Sequence, residues 1–403
     1  MKNTPMDSRL AGQRNEQLIL SLLREHGPLS QTQLCNMINL GSSTASSIVS
    51  RLRDKELVIE TRGQSDRRGP KPVLLKINPC VWYVVGIEIN PSYVFMGLFD
   101  FTATLRETRK SPLSTDHSVE HVLEVIKQTF PSLTALCGGN NGKLLGIGVT
   151  VSGSISADGV VQLSSPLGWE QVPLKELMER RLSRTVSVHS TRVRLMAEIT
   201  QQPQLQSRSI LYLNVANGVG ATVYMNGQLI TGTTGRYGEI GHIIVQPDGP
   251  RCGCGHQGCL EAMISGRAIA ERIRKDVNEG AKTMLTEWMS RTDDKVPEEI
   301  VTLWGRAVGQ QDPYALEIRD FIAGYLSRAA AMSINAFDPD TVILAGYVCR
   351  QCPEYFAQSI RNAMNEQVYD SPRRDIRVMV ARCGEEALIT GVAMAMLQDT
   401  LLV

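Results

Sequence analysis

Between Gly238 and Glu261 the chain reads G-E-I-G-H-I-I-V-Q-P-D-G-P-R-C-G-C-G-H-Q-G-C-L-E, which sets His242, Cys252, Cys254 and Cys259 within 18 residues of one another. Three thiolates and an imidazole at this spacing meet the four-coordinate sulfur-and-nitrogen preference of zinc, and the interleaved glycines let the backbone close tightly around an ion. Four protein ligands leave no position for an activated water, so the spacing predicts a structural Zn2+, not a hydrolytic one. The competing reading, three cysteines near a core histidine by chance, demands more coincidence. The same segment carries two carboxylates, Glu239 and Glu261, whose chemistry suits paired hydrogen bonding to hydroxyl groups.

A second group of residues has the chemistry of DNA binding. Leu18, Ile19, Leu22 and Leu23 recur at helical spacing between Gly12 and Glu25, and His26-Gly27-Pro28 ends that helix. Ser30 with Gln33 forms a capping box that opens a short second helix carrying Leu34, Met37 and Ile38. After the turn at Asn39-Leu40-Gly41, a third helix turns Ala45, Ile48, Val49 and Leu52 inward and leaves Ser43, Thr44, Ser46, Ser47, Ser50 and Arg51 for its other faces. Short hydroxyl side chains let a helix approach a groove closely and bond to phosphates or base edges. Taken alone, it also reads as a serine-rich surface helix. The segment after it favours DNA: Leu57 to Glu60 and Val73 to Ile77 read as two strands joined by R-G-Q-S-D-R-R-G-P-K, a basic wing that offers Arg62, Arg67, Arg68 and Lys71 to phosphates.

Charge supports that division. The 403 residues have a net charge of only +1, yet residues 1 to 80 hold 12 Lys+Arg against 7 Asp+Glu, and the remainder 30 against 34. A basic first fifth on an acidic remainder points to a nucleic-acid module attached to something else. Nine cysteines with no secretory leader fit a reducing cytoplasm, and no run approaches the roughly 18 apolar residues of a membrane span.

After Pro79 strands alternate with helices. Residues 81–89 and 93–100 read as paired strands, 117–136 as an amphipathic helix and 144–151 as a buried strand, so the fold class is α/β. Residues 315–336 read as a core or subunit-contact helix with Ile318, Phe321, Ile322, Tyr325, Leu326, Ala329 and Met332 at helical spacing, and Gly391 to Leu397 as a small-residue helix packed back on the first lobe. Cys349-Arg350-Gln351-Cys352 is a C-x-x-C without a second ligand pair nearby, and reads as incidental thiols.

From about residue 14 to the C-terminal helix the chain resembles the ROK family (repressors, open reading frames and sugar kinases), in its transcription-regulator branch. The motifs that carry the resemblance are G-E-I-G-H at Gly238 to His242 with the cysteine cluster, C-L-E at Cys259 to Glu261, G-I-G-V-T-V-S-G at Gly146 to Gly153, P-L-G-W at Pro166 to Trp169 and I-L-A-G at Ile343 to Gly346. The resemblance implies a winged helix-turn-helix over residues 1–80, a smaller actin-like lobe from 81–198 plus 385–403, and a larger lobe from 199–384 with the zinc loop. It also implies a sugar site in the cleft between lobes, with Gly153, His189, Glu239, His242 and Glu261 as effector-binding residues. The alternative for Glu239 and Glu261 is that they only stabilise the metal loop.

Departures from the family pattern bear on activity. Where ROK kinases carry D-x-G-G-T this chain has Glu88-Ile89-Asn90-Pro91-Ser92, and Pro91 removes a backbone donor that a phosphate would need. The second phosphate loop, G-T-G-I-G in kinases, is Ala216-Asn217-Gly218-Val219-Gly220. Aligned through Ala197-Glu198, His189-Ser190 stands where kinases hold the catalytic aspartate. Serine cannot act as the general base near neutral pH, and losing a positioned base costs about 10²- to 10⁴-fold.

The expectation is therefore a kinase-inactive, cytoplasmic transcription regulator, a repressor of carbohydrate-utilisation genes that binds operator DNA and a carbohydrate effector as a homodimer or homotetramer. Two alternatives stand: an ATP-dependent sugar kinase with an appended DNA-binding domain, and a repressor controlled by a protein partner with a vestigial sugar site.

Overall fold

A computed structural model describes residues 8–62, 73–114, 116–138, 142–233, 235–289 and 295–402. These form two compact units, Met1–Pro203 with Gly384–Val403, and Gln204–Cys383. Arg67, Arg68 and Lys71 of the expected wing lie outside the described residues.

The first unit begins with three helices, Ser8–His26, Gln31–Ile38 and Ser42–Asp54, followed by an antiparallel pair, Val58–Arg62 with Val73–Ile77. The capping box forms as its sequence requires: the Ser30 hydroxyl accepts from the Gln33 N–H, and the Gln33 side chain accepts from the Ser30 N–H at 2.8 Å. Ala45, Ile48, Val49 and Leu52 are all buried, so the third helix has the rotation its pattern dictates. The first helix differs from expectation. Leu20 is buried with Ile19 and Leu23, and Leu18 is exposed, because a core formed by two short helices and a hairpin covers a narrower stripe. Met37 is exposed for the same reason.

The rest of this unit is built on a five-stranded sheet in the order Val186–Ser190, Lys143–Val151, Trp82–Asn90, Tyr93–Asp100, Leu105–Pro112, parallel for the first two pairings and antiparallel for the last two. The polar edge strand Leu105–Pro112 was not legible as a strand, since its half-buried alternation of charged residues has no apolar run. Trp82–Asn90 is buried along nearly its whole length, as a strand covered on both faces must be. The helix Ala387–Leu402 packs against this sheet, and glycine is required where they cross: a Cβ at Gly86 would run into the Ile389 carbonyl, and one at Gly148 into that of Val392. The expected return of the C-terminal helix to the first lobe is observed.

The second unit repeats the plan. Its sheet runs Gln228–Ile230, Val219–Met225, Ile210–Val215, Thr341–Ala345, Arg377–Val380, with an antiparallel meander continued by two parallel strands. The helix Pro313–Phe337 supplies Ile318, Ile322, Leu326 and Ala329 to its core, whereas Met332 is 46% exposed. Cys349 and Cys352 are both buried, and burial pushes their thiols up to about 12 and about 11, so they behave as apolar packing residues. Among the described residues no helix is long and apolar enough to cross a membrane.

Candidate metal centre, effector residues and DNA-binding face

The metal cluster is assembled by three short pieces of backbone. Glycines 238 and 241 press the G-E-I-G-H segment onto the strand Val219–Met225: side chains there would collide with the carbonyls of Ala221 and Val219. This brings His242, at the end of a 3-10 turn, to the loop that carries Cys252 and Cys254, while Cys259 caps the short helix Leu260–Ile264. The isolated bridges Ile244 with Cys259 and Arg251 with Gln257 hold the loop.

The donor atoms of His242, Cys252, Cys254 and Cys259 all lie within 4.8 Å of one another. Cys252 Sγ is 3.6 Å from His242 Nδ1, and Cys254 Sγ is 3.6 Å from Cys259 Sγ. A tetrahedral Zn–S bond of about 2.3 Å implies an S···S edge of roughly 3.8 Å, so the spacing fits one ion without rearrangement. Cys252 and Cys259 are buried while His242 and Cys254 are exposed. Sequence reasoning missed His256, whose Nδ1 lies 3.4 Å from Cys254 Sγ. Hydrogen bonds from the His256 backbone and then its side chain draw the Cys254 thiol down to about 6, whereas burial and the neighbouring sulfurs push Cys259 up to about 12. A cation among these sulfurs would remove that conflict, since a coordinating thiol is deprotonated outright.

Glu239 is exposed and precedes the 3-10 turn of His242. Glu261 reaches the opposite way, where its Oε2 accepts from the Val219 N–H at 3.0 Å and stands against Gly218. Glu261 therefore braces the Ala216–Gly220 turn, which gives weight to the structural alternative for this residue; its other oxygen has no such bond among the described residues. Gly153 and His189 belong to the first unit. Gly153 lies at φ +143° with its Cα against the Leu163 carbonyl, a backbone that only glycine adopts easily. His189 and Ser190 end the strand Val186–Ser190, opposite Thr150 and Val151, just before the helix Arg194–Gln201 that holds the buried Glu198.

In each turn that would cradle a phosphate a side chain of the same chain takes a backbone donor. Asn90 pairs with Tyr93 across a tight turn, and Asn90 Oδ1 accepts the Ser92 N–H at 3.0 Å, beside Pro91, which has no N–H to offer. In the second unit the Val219 N–H is taken by Glu261, and the Tyr347 hydroxyl donates to Asn217 Oδ1 at 2.7 Å. Tyr347 is 6% exposed, and a Cβ on Gly266 would strike its hydroxyl. Sequence reasoning passed over Tyr347, though an aromatic directly after Gly346, with φ +94° at a buried strand end, was the available signal. Glu88, at the head of the first turn, is buried, and that burial pushes its carboxyl up against the pull of Arg194.

On the third helix Ser43, Thr44, Ser46, Ser47 and Arg51 are all exposed, and Arg62 is exposed at the end of its strand. Arg51 is not loose. Its Nε donates to Glu16 Oε1 at 2.7 Å, a terminal nitrogen donates to Ser47 Oγ at 3.1 Å, and Lys55 Nζ meets Glu16 Oε2 at 2.8 Å. Glu16 is a residue that spacing did not reveal. Partial burial raises its carboxyl, but Lys55 and Arg51 outweigh this and hold it below its ordinary value.

A winged helix with an exposed polar recognition helix, followed by two five-stranded sheets on one actin-like plan, defines the class of two-module DNA-binding regulators. The ROK family model matches residues 84–399, more than three quarters of the sequence, and the MarR family model matches residues 13–69. The chain belongs to the ROK family. It is 24% identical to the xylose repressor of Caldicellulosiruptor bescii over 394 residues, 97% of each chain. Its fold is similar, with a TM-score of 0.82 and 23% identity over 98% of each chain, to a ROK family transcriptional regulator described as a homologue of the Escherichia coli MLC protein. A ROK hexokinase from Thermus thermophilus is similar over only 77% of this chain, though over 97% of its own length, with a TM-score of 0.62 and 26% identity. The extra length in this chain accommodates the winged helix.

Proposed function

We propose that this protein represses carbohydrate-utilisation genes, with the winged helix holding operator DNA and the ROK domain sensing a sugar or sugar phosphate through Glu239, His242 and Glu261. One observation carries most weight: the donor atoms of the G-E-I-G-H and cysteine loop converge, while in each phosphate turn a backbone N–H is already taken by a side chain of the same chain. A kinase needs both turns open; a sensor needs only the hydroxyl-binding residues. Cys252, Cys254, Cys259 and His242 Nδ1 would hold Zn2+, which would supply a rigid crosslink behind the recognition histidine. Glu239, exposed and next to that crosslink, would accept from sugar hydroxyls as a two-oxygen acceptor. A homodimer is proposed because helix-turn-helix half-sites come in symmetric pairs.

A thermal-shift screen of sugars and sugar phosphates tests the reading. A ligand at about a hundred times its Kd stabilises by about 2.7 kcal/mol, a rise of roughly 5 °C or more for the domain that binds it. Glu239→Ala should abolish that rise while leaving the unliganded midpoint within about 1–2 °C, since an exposed side chain contributes little to stability. A screen in which no sugar or sugar phosphate moves the midpoint, together with a protein that strips the regulator from DNA, would replace this proposal by control through a protein partner.

A further inference from the structure

Where the end of the first helix and the root of the wing hairpin meet the loop after Tyr93–Asp100, a cavity of about 320 Å³ is lined in part by Leu23, Arg24, Gly27, Lys76, Thr102 and Arg106. All of it belongs to the first unit. Three of its lining residues are cationic and none is acidic. The nearest carboxylate, Asp100, is wholly buried and already committed. Its Oδ2 accepts from Arg106 Nε at 2.7 Å, and its Oδ1 accepts from the Thr102 N–H, the Thr102 hydroxyl and the Thr104 N–H. Among the described residues Arg24 meets the Phe101 carbonyl, 3.4 Å from a terminal nitrogen, and the Phe101 ring, 5.5 Å from its central carbon. Its Nε is buried without a hydrogen-bond partner among the described residues. Lys76 has no ion pair among them either.

Arg24 is the cation withdrawn from water here, and a buried donor without an acceptor costs about 1–3 kcal/mol; Lys76 is half-buried and Arg106 exposed. Among the described groups at the cavity, one carboxylate against three cations leaves an excess of two. We infer that this cavity binds an anion, the phosphate group of a small phosphorylated metabolite. A phosphate monoester carries about −1.5 to −2 at neutral pH, which matches the excess, and its oxygens can take guanidinium and ammonium donors from separate directions. The volume sits at the lower bound of small-molecule sites, about 300 Å³, so the site has room for more than a bare ion. Burial draws the Arg24 guanidinium down to about 10 against the pull of Asp100, as expected of a cation short of counter-charge.

DNA is not the source of the phosphate. Lys76 lies at the hairpin's root, where Val58 pairs with Ile77, and the described strands leave the root four residues before Arg62 pairs with Val73. At about 3.4 Å per residue the wing tip begins some 13 Å further on. Arg24 and Lys76 belong to the winged helix whereas Thr102 and Arg106 belong to the lobe, so an anion here would fasten one to the other. This site is separate from Glu239 and goes beyond the sugar-sensing proposal.

The test titrates the full-length protein calorimetrically, in phosphate-free buffer at fixed ionic strength, with inorganic phosphate, glucose 6-phosphate and glucose. Both phosphates should bind. A tighter fit for the ester would show that the site reads the carrier as well as the charge; equal affinities would show that it reads the anion alone. Lys76→Gln and Arg24→Gln should each weaken phosphate binding about tenfold, the worth of one charge-assisted hydrogen bond, while Glu239→Ala leaves it unchanged. Absence of phosphate binding, or equal affinity in wild type and the folded Lys76→Gln variant, overturns the inference. Loss of a sugar response alone would count against the sugar proposal and leave this one standing.

Discussion

Cys259→Ser lowers the thermal midpoint of the second unit by roughly 6–12 °C and abolishes zinc in the purified protein, whereas Cys352→Ser, at a buried thiol outside the cluster, leaves the metal content intact. Cys259 is fully buried, caps the helix Leu260–Ile264 and sits 3.6 Å from Cys254 Sγ. Structural zinc is worth about 10–16 kcal/mol in isolated zinc-finger peptides. Here the loop is also tied down by Gly241 against Val219 and by Glu261 on the Val219 N–H, so a smaller part of that energy is lost. A loss of about 3 kcal/mol, at about 2–4 °C per kcal/mol for a unit of this size, gives the stated fall. A strong chelator should produce the same shift in wild type and none in the variant. Metal analysis that finds no zinc, or a chelator without effect on the wild-type midpoint, defeats the zinc assignment.

The cluster of His242 and three cysteines was legible because three thiols and an imidazole fall close in sequence and local turns can bring them together. The recognition helix was legible because four apolar residues at helical spacing fix its rotation, so Ser43, Ser46 and Ser47 had to face outward once Ala45 and Ile48 faced in. Long-range residues were not legible in this way. Glu16 lies 35 positions before Arg51, and Tyr347 lies 130 positions after Asn217. No period relates such pairs; only the packed fold brings them together. The edge strand Leu105–Pro112 was missed on different grounds, because an edge strand with charged side chains on its open face lacks the apolar signal of the strands it joins.

Tyr347 and Glu261 also change what the departures in the phosphate turns mean. Loss of a glycine or a threonine alone would leave a weakened nucleotide site. The Glu261 carboxylate accepting the Val219 N–H goes further, because it satisfies a donor that a phosphate would have to recruit, and the Tyr347 hydroxyl holds the Asn217 side chain in the same turn. A nucleotide would first have to break bonds that the protein makes with itself, and a buried polar group left unpaired in that exchange costs about 1–3 kcal/mol. Glu239, the carboxylate proposed to meet a sugar hydroxyl, is exposed. The turns that depart from the kinase pattern are thus also turns in which the chain bonds to itself.

Arg51→Glu weakens operator binding by at least about 100-fold with little change in stability. The proposed operator contact places Arg51 on the edge of the recognition helix, where Glu16 splits its two oxygens between Arg51 and Lys55 and so holds two cations in one orientation. The substitution removes a cation from a backbone phosphate, brings a carboxylate towards the DNA and leaves Glu16 to Lys55 alone. Like charges brought together at an interface cost several kcal/mol, and a dimer meets that cost at both half-sites. Stability should scarcely move, because Arg51's side chain is 45% exposed and exposed ion pairs contribute about 0–1 kcal/mol. Replacing Arg67 and Arg68 of the wing by glutamine should act differently: binding to all sequences weakens together, and the slope of log affinity against log salt shrinks by about one for each phosphate no longer neutralised. Fluorescence anisotropy on operator and scrambled duplexes, measured from low to physiological salt, separates the two effects. If Arg51→Glu binds operator as wild type does, the serine face of this helix is not the surface that meets DNA.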